Sequence, residues 1–530
     1  MKSRLMFVTA MTLFAALTIP VRLAAQDNQE HRHNRVRYIV TVLGTLGGGF
    51  SSGNGINYKG SVAGGSWLPG DTTIRAFIWH RGVMTDLGTL GGPNSDASEG
   101  PMINDKGEVV GFSDTLTLDP NAENFCSNFN DLPNPYTCVP FVWRNGKMSA
   151  LPLLGGNNGN AGGINNRGQV AGVAENATRD PNCPYLHFEP VIWEKGQISE
   201  QLPTVSGDPD GVAGAINDEG QAVGFTGTCG PVHAVLWENG KATDLGNLGG
   251  TSSMASDINN RGQVVGESNL AGDTTHHAFL WTEDEGMQDL GTLYGLPVSW
   301  AQAINNKGQA VGFSQDFSNN TVASLWQDGV LTDLNTLIPS NSPLFLIEAL
   351  GINDRGQIAG YAFDTSTGQY PAFLATPCDE KQGDGEDCEE GGGENAVPRT
   401  NPVALTPASR MPVGMLNRFR SRWGQGSLGF GGGPAPEQKQ GPQTVTDDPR
   451  VGDVLDPLWV WHHHYSGYCE INDYTGKLLT DGLCVSHRYN FCYIQPSANC
   501  ATGKQAIKPS DDSCGGLGTA RIDLARTCSF

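Results

Sequence analysis

Ser253-Met254-Ala255-Ser256-Asp257-Ile258-Asn259-Asn260-Arg261-Gly262-Gln263-Val264-Val265-Gly266, followed by His277-Ala278-Phe279-Leu280-Trp281 and Asp289-Leu290-Gly291-Thr292-Leu293, is one copy of a unit that the chain repeats. Its core, Ile-Asn-x-x-Gly, recurs with Asn57, Asn104, Asn165, Asn217, Asn259, Asn305 and Asn353, at spacings of 47, 61, 52, 42, 46 and 48 residues. Seven copies at such periods signal a propeller or a solenoid.

Each copy contains four short runs of strand-forming residues separated by turn chemistry. Strand A ends at Ile-Asn, and Asn-x-x-Gly suits a type I turn with Asn first and Gly last at positive φ, giving a hairpin into strand B (Gln263 to Gly266 in the copy above). A loop of variable length leads to strand C, Ala-Phe-Ile-Trp in its first copy. The Asn-Gly pairs Asn145-Gly146 and Asn239-Gly240 suit type I′ turns into strand D.

Side chains alternate along a strand, so Phe77 and Trp79 leave one face of strand C and Ile78 the other. Both faces are apolar. Radial stacking of four-stranded blades buries two apolar faces in every copy. Trp79, Trp143, Trp193, Trp237, Trp281 and Trp326 share one register and are expected in the core between blades; the last copy has Ala375 instead. That copy also lacks a following strand D, whereas Tyr38 to Leu46 near the N-terminus has a strand D sequence. The expected fold is therefore an all-β, seven-bladed β-propeller of four-stranded blades over residues 37–377, closed by its N-terminal strand. An open solenoid would instead need polar capping repeats.

These residues resemble the HAF extracellular repeat family, whose triplet stands intact as His277-Ala278-Phe279 and in part as His233-Ala234-Val235 and Arg75-Ala76-Phe77. The resemblance covers about two thirds of the chain. It implies a bacterial, secreted, propeller-like protein and transfers no catalytic residue.

The chain as a whole has 530 residues and a formal net charge of -22, which repels phosphates and argues against nucleic acid as a partner. Lys2 and Arg4, an apolar run from Leu5 to Ile19 and Leu23-Ala24-Ala25 have the layout of a cleaved secretory signal over residues 1–25. No other segment has the roughly 20 apolar residues that would span a bilayer. The expected location is extracellular, periplasmic or on the cell surface.

Twelve cysteines in an exported chain point to disulfides. Cys126 and Cys138 lie in the longest B-to-C loop, that of blade two, and are expected to pair. Cys183 and Cys229 in the loops of blades three and four could bridge neighbouring blades. The same loops gather Asp114, Asp119, Glu123, Glu175 and Asp180, and blade five adds Asp273. They read as a solvated acidic rim, with calcium as the one ion they could hold and no cofactor otherwise expected.

Residues 378–453 read as a flexible linker, because Asp379 to Glu394 alone holds eight acidic residues and five glycines. Cys378 and Cys388 could close a small loop there. Met411 to Trp423 reads as a basic amphipathic segment, and the Gly-x-Gly-x-x-Gly match at Gly424 to Gly429 has no strand before it, so it reads as chance. Residues 454–530 hold Cys469, Cys484, Cys492, Cys500, Cys514 and Cys528, the makings of a small disulfide-rich C-terminal module with fifteen formal connectivities. His462-His463-His464 beside them reads as exposed surface.

No nucleophile elbow, His-Glu-x-x-His or Walker loop occurs. The recurrent Asp86, Asp244, Asp289 and Asp333 of strand D read as repeated structural hydrogen bonds. The sequence therefore favours a secreted non-enzymatic scaffold that binds an extracellular glycan or protein through propeller-face loops. Two alternatives are a carbohydrate-active or other hydrolytic propeller enzyme and a structural protein attached to the cell surface through its C-terminal module.

Overall fold

The computed structural model describes residues 36–378 except 98–99, 124, 127–134, 181–185, 206, 228–230 and 319, together with the backbone of strands between residues 460 and 522. Seven four-stranded antiparallel sheets form a β-propeller. Blade one is typical, with strands A to D at Ser51–Ile56, Val62–Trp67, Ile74–His80 and Val83–Asp86. Blade seven is closed by the N-terminal strand: Tyr38–Gly44 runs antiparallel to Ala372–Pro377, from Tyr38 opposite Pro377 to Gly44 opposite Ala372. Among the described residues the only helical turns are Leu293–Gly295 and Leu334–Thr336, and no helix is long and apolar enough to cross a membrane.

The repeated Asn forms its turn and also joins neighbouring blades. In every copy the Gly N–H donates to the Asn carbonyl three residues back, at 2.9 to 3.1 Å, and the glycine has positive φ. The Asn Oδ1 accepts the N–H groups two and four residues ahead, as Asn217 does from Glu219 and Gln221 at 3.0 Å each. Its Nδ2 donates to the main-chain carbonyl of the next copy's Asn at 2.9 to 3.1 Å, and Asn353 returns to Asn57. The result is a closed belt of seven side chains.

Strand C fixes how the blades stack. Phe77 and Trp79 pack with Ala359, Ala372 and Leu374 of blade seven, while Ile78 packs into the cluster that includes Val109 and Val110 of blade two. Trp193, Trp237 and Trp326 are buried, and their Nε1 groups donate to the carbonyls of Pro152, Pro203 and Leu290 in the preceding blades. Trp143 and Trp281 are half-buried against the same kind of core. At the seventh position Ala375 is fully buried, and Leu337 and Ile338 share its cluster.

A second latch runs from strand A back to strand C of the preceding blade. Ser51, Ser95, Ser253 and Ser299 accept the N–H groups of Ala372, Ala76, Ala234 and Ala278 at 2.7 to 3.1 Å. In blades two and three the alanine is replaced by Pro140 or Pro190, which has no N–H to donate. The facing serine is then Gly159 or Gly211, and a Cβ there would come within 3.2 Å of the proline ring. The acceptor disappears where the donor does.

Five C-to-D hairpins have both central residues at positive φ, as type I′ turns require. They are Arg81-Gly82, Asn145-Gly146, Lys195-Gly196, Asn239-Gly240 and Asp328-Gly329. The strand D aspartates follow one pattern: Oδ1 of Asp86, Asp244, Asp289 and Asp333 accepts the N–H two residues on, at 2.7 to 2.8 Å.

The chain divides into two compact units, Met1–Pro434 and Ala435–Phe530. In the second, one sheet runs in the order Val460–His464, Gly467–Asn472, Leu483–Ser486, Phe491–Pro496, Gln505–Pro509, Ala520–Ile522, with Lys477–Leu478 beside Gly467–Asn472. Cys469 is opposite Cys484, and Cys484 opposite Cys492, in the strand register. Residues 1–35, among them the expected secretory signal, the segment from 379 to 459, and Cys388, Cys500, Cys514 and Cys528 lie outside the described residues.

Candidate functional site

The B-to-C hairpins of blades two and three are longer than the others. Val109–Leu118 with Tyr136–Arg144, and Val170–Arg179 with Leu186–Glu194, run for nine or ten residues, against six and seven in blade one. They project on the face opposite the asparagine belt, since A-to-B turns and B-to-C loops lie at opposite ends of an antiparallel blade. Cys126 and Cys138 form a disulfide with Cα atoms 6.2 Å apart, within the usual range. Beside it Phe125 packs edge-on against Phe188 of blade three at 5.9 Å.

Beneath these loops the carboxylates are buried, which corrects the expectation of a solvated acidic rim. Asp114, Asp119, Glu123, Glu175 and Asp180 are each at most 8% exposed. Main-chain donors offset their lost hydration. Asp114 Oδ2 accepts from Asn94 N, Glu175 Oε2 from the N–H groups of Asn157 and Asn158, Asp119 from Asn121 and Glu123, and Glu123 Oε1 from Leu186 N. Asn158 Nδ2 reaches both Asp119 and Glu123, at 3.4 and 3.3 Å. Asp273 alone fits the expectation: it is exposed, and accepts from Thr251 N at 2.7 Å.

Glu123 and Glu175 hydrogen-bond to each other, which requires a shared proton. Burial, and then the charge and hydrogen bond of Glu123, push Glu175 up to about 8. Glu123 is also raised, chiefly by burial, although its bond to Glu175 opposes the shift.

A second group adjoins the first. Leu186 N is bound to Glu123, and the next side chain, His187, places Nδ1 2.9 Å from Oδ1 of Asp210 in blade four. Ligand atoms of Asp180, His187 and Asp210 lie within 4.8 Å of one another. Glu189 stands close by, its carboxyl raised by burial and then by the charge of Asp210. Two further histidines on this face pair with acids: His233 with Asp208 at 2.9 Å and His276 with Glu267 at 3.0 Å. Burial alone depresses His276, but the charge and hydrogen bond of Glu267 outweigh it and raise the imidazole above its usual value.

The sequence reading placed Asp180 here and missed His187, Glu189 and Asp210. Asp210 fills an acceptor slot that recurs from blade to blade: Asn94, Asn158, Asp210 and Ser252 accept the N–H groups of Ile74, Cys138, Phe188 and Val232. Aligning the repeats on that slot exposes Asp210 as its one carboxylate. Cys183 and Cys229, the expected inter-blade pair, lie outside the described residues. Cys378 is disulfide-bonded.

The channel side of the propeller differs in kind. Strand A carries a β-bulge in six blades, and in blades three to six it falls at Gly162, Gly214, Ser256 and Gln302. Small residues keep the inner strands close: a Cβ on Gly100 would lie 2.6 Å from the carbonyls of both Gly162 and Gly214. The buried Asp257 accepts from Ile258 N and from Ile304 N of the next blade, and burial raises it to about 7.

No family model matches the sequence, and no curated protein does. Solved structures with some likeness include TolB from Acinetobacter baumannii, at 9% identity over 51% of this chain and 63% of that one, with a TM-score of 0.29. AofleA from Arthrobotrys oligospora has 9% identity over 56% of this chain and 88% of its own, with a TM-score of 0.29. Trypanosoma rangeli sialidase in complex with sialic acid has 9% identity over 64% and 58%, with a TM-score of 0.32. At this level of likeness none of them informs the activity.

Proposed function

We propose that this chain is an exported, non-enzymatic binding scaffold that presents the B-to-C loop face of blades two to four to an extracellular glycan or protein. The observation that carries this reading is a rigid support under an exposed apolar edge. On the blade two hairpin Leu116 and Leu118 are 78% and 63% exposed, while the disulfide and the buried acid network fix the loop from below. Phe317, 75% exposed in the B-to-C loop of blade six, is on the same face. Exposed apolar side chains on loops held by a rigid frame are the usual makings of a recognition surface.

The acid pair does not favour hydrolysis of a glycosidic bond. Two catalytic carboxyls flank the bond at roughly 5 to 9 Å, whereas Glu123 and Glu175 bond to each other in the interior. Export is supported by the leader-like residues 1–25. The test is to measure binding of the full chain to an array of glycans and envelope polymers, with and without calcium, beside the Leu116→Asp/Leu118→Asp double variant. Selective binding that the double variant loses supports the reading. Binding that survives it places recognition elsewhere and overturns the assignment of this face.

A further inference from the structure

We infer that Asp180, His187 and Asp210 form a binding site for a transition-type divalent cation, zinc or manganese, set where strand C of blade three meets strand A of blade four. The inference stands on the geometry of these residues and does not require that the face above them bind a glycan or protein.

Three ligand atoms, two carboxylate oxygens and one imidazole nitrogen, already lie within 4.8 Å of one another. A cation held at about 2.0 to 2.2 Å from such atoms separates them by roughly 3 to 4 Å, so convergence needs only small side-chain rotations. The carboxylates are buried, with Asp180 3% and Asp210 0% exposed. The half-buried His187 leaves one side toward solvent, the entry that an ion needs.

The repeat itself supplies an independent observation. In the slot that Asp210 fills, Asn94, Asn158 and Ser252 accept the corresponding N–H group without a charge. A neutral residue satisfies the fold, and Asp210 adds a buried negative charge to a place already shared with Asp180 and Glu189. His187 already meets Asp210 at 2.9 Å, and a cation shared by the three ligand atoms would offset the buried charge more fully than this one contact does. The imidazole decides which cation: nitrogen with carboxylate oxygen suits zinc or manganese, whereas calcium takes an all-oxygen shell.

The test uses the full chain carrying His462→Ala, His463→Ala and His464→Ala, so that the tail histidines add no metal. Equilibrium dialysis against zinc and against manganese, with metal analysis, reads stoichiometry and affinity. We expect one equivalent of zinc or manganese, bound more tightly than calcium, and a melting temperature that rises with that metal. His187→Gln should weaken binding by at least about 100-fold, since even residues behind the ligands are worth 10- to 100-fold. Asp210→Asn keeps the acceptor for Phe188 N, so it should fold as the parent does without metal yet lose the metal-dependent rise in melting temperature. Absence of stoichiometric binding in the parent, or parent-like affinity in both variants, overturns the inference.

Discussion

At the scale of single residues, one amide does the work of both turn and clamp. Each repeated Asn spends Oδ1 on its own turn and Nδ2 on the next blade, so replacing it strands several main-chain groups at once. Asn217→Ala should cost about 2 to 4 kcal/mol, the sum of a lost inter-blade bond and donors left without acceptors. A chemical denaturation midpoint unchanged from wild type would refute the belt as a source of stability. The buried acids make a second prediction at this scale. Glu175 is raised to about 8 and Asp257 to about 7, from 4.5 and 3.8, so between about pH 4 and 8 the native state holds protons that the unfolded chain has released. Their stability is fully present below the unfolded values and is lost as pH rises through the folded ones. His276, raised from 6.5, acts in the same direction, whereas the lowered Asp273 and Asp364 contribute stability above 3.8 that is lost toward acid. Stability should therefore be higher at pH 5 than at pH 8, and Glu175→Gln should remove on the order of 3 kcal/mol of that difference. Equal pH slopes for wild type and variant would refute the shared-proton account.

At the scale of an element, the blade two hairpin is a long excursion closed by a disulfide over 12 residues of separation. Closing a loop of this size restricts the unfolded chain by about 3 kcal/mol. The effect should stay local, because the pairing of the two strands, from Val109 opposite Trp143 to Asp114 opposite Cys138, does not depend on a covalent link at their far end. Cys126→Ser with Cys138→Ser should speed proteolysis and hydrogen exchange between Asp119 and Tyr136 while the exchange of Val109 and Val110 stays slow. Uniform loss of protection across blade two would mean that the loop supports the blade. The hairpin also marks the limit of what the sequence shows. Its length, its cysteines and its acids could be read along the chain, because each is a local feature. Their burial could not: Glu175 is buried by Glu123 and Asn158, which come from other segments. His187 and Asp210 escaped for the same reason, being 23 residues apart and joined only where strand C of blade three meets strand A of blade four.

At the scale of the whole molecule, architecture was legible because a repeat states it seven times, and closure because strand D is missing at one end and present at the other. What single copies could not show is that the ring is held by two belts, one of them open. Beside the closed asparagine belt, the residue after six of the seven Asn donates its N–H to the side chain of its counterpart in the next blade. Tyr58, Asp105, Asn166, Asp218, Asn260 and Asn306 give six such bonds at 2.8 to 2.9 Å. The seventh, from Asp354, would have to reach Tyr58, whose side chain has no amide or carboxylate and is 57% exposed. The open position falls between blades seven and one, beside the blade that the N-terminal strand completes. Two predictions meet there. Removing residues 1–44 leaves Ala372–Pro377 as an unpaired edge, so the variant should lose cooperative unfolding and aggregate. Tyr58→Asn supplies the missing acceptor and should stabilise the ring by about 0.5 to 1.5 kcal/mol, read as a raised denaturation midpoint. If Tyr58→Asn stabilises the full chain, the second belt contributes to stability and this joint is where wild type lacks that contribution. If the midpoint does not move, each joint is held by its own packing and the belts only set register.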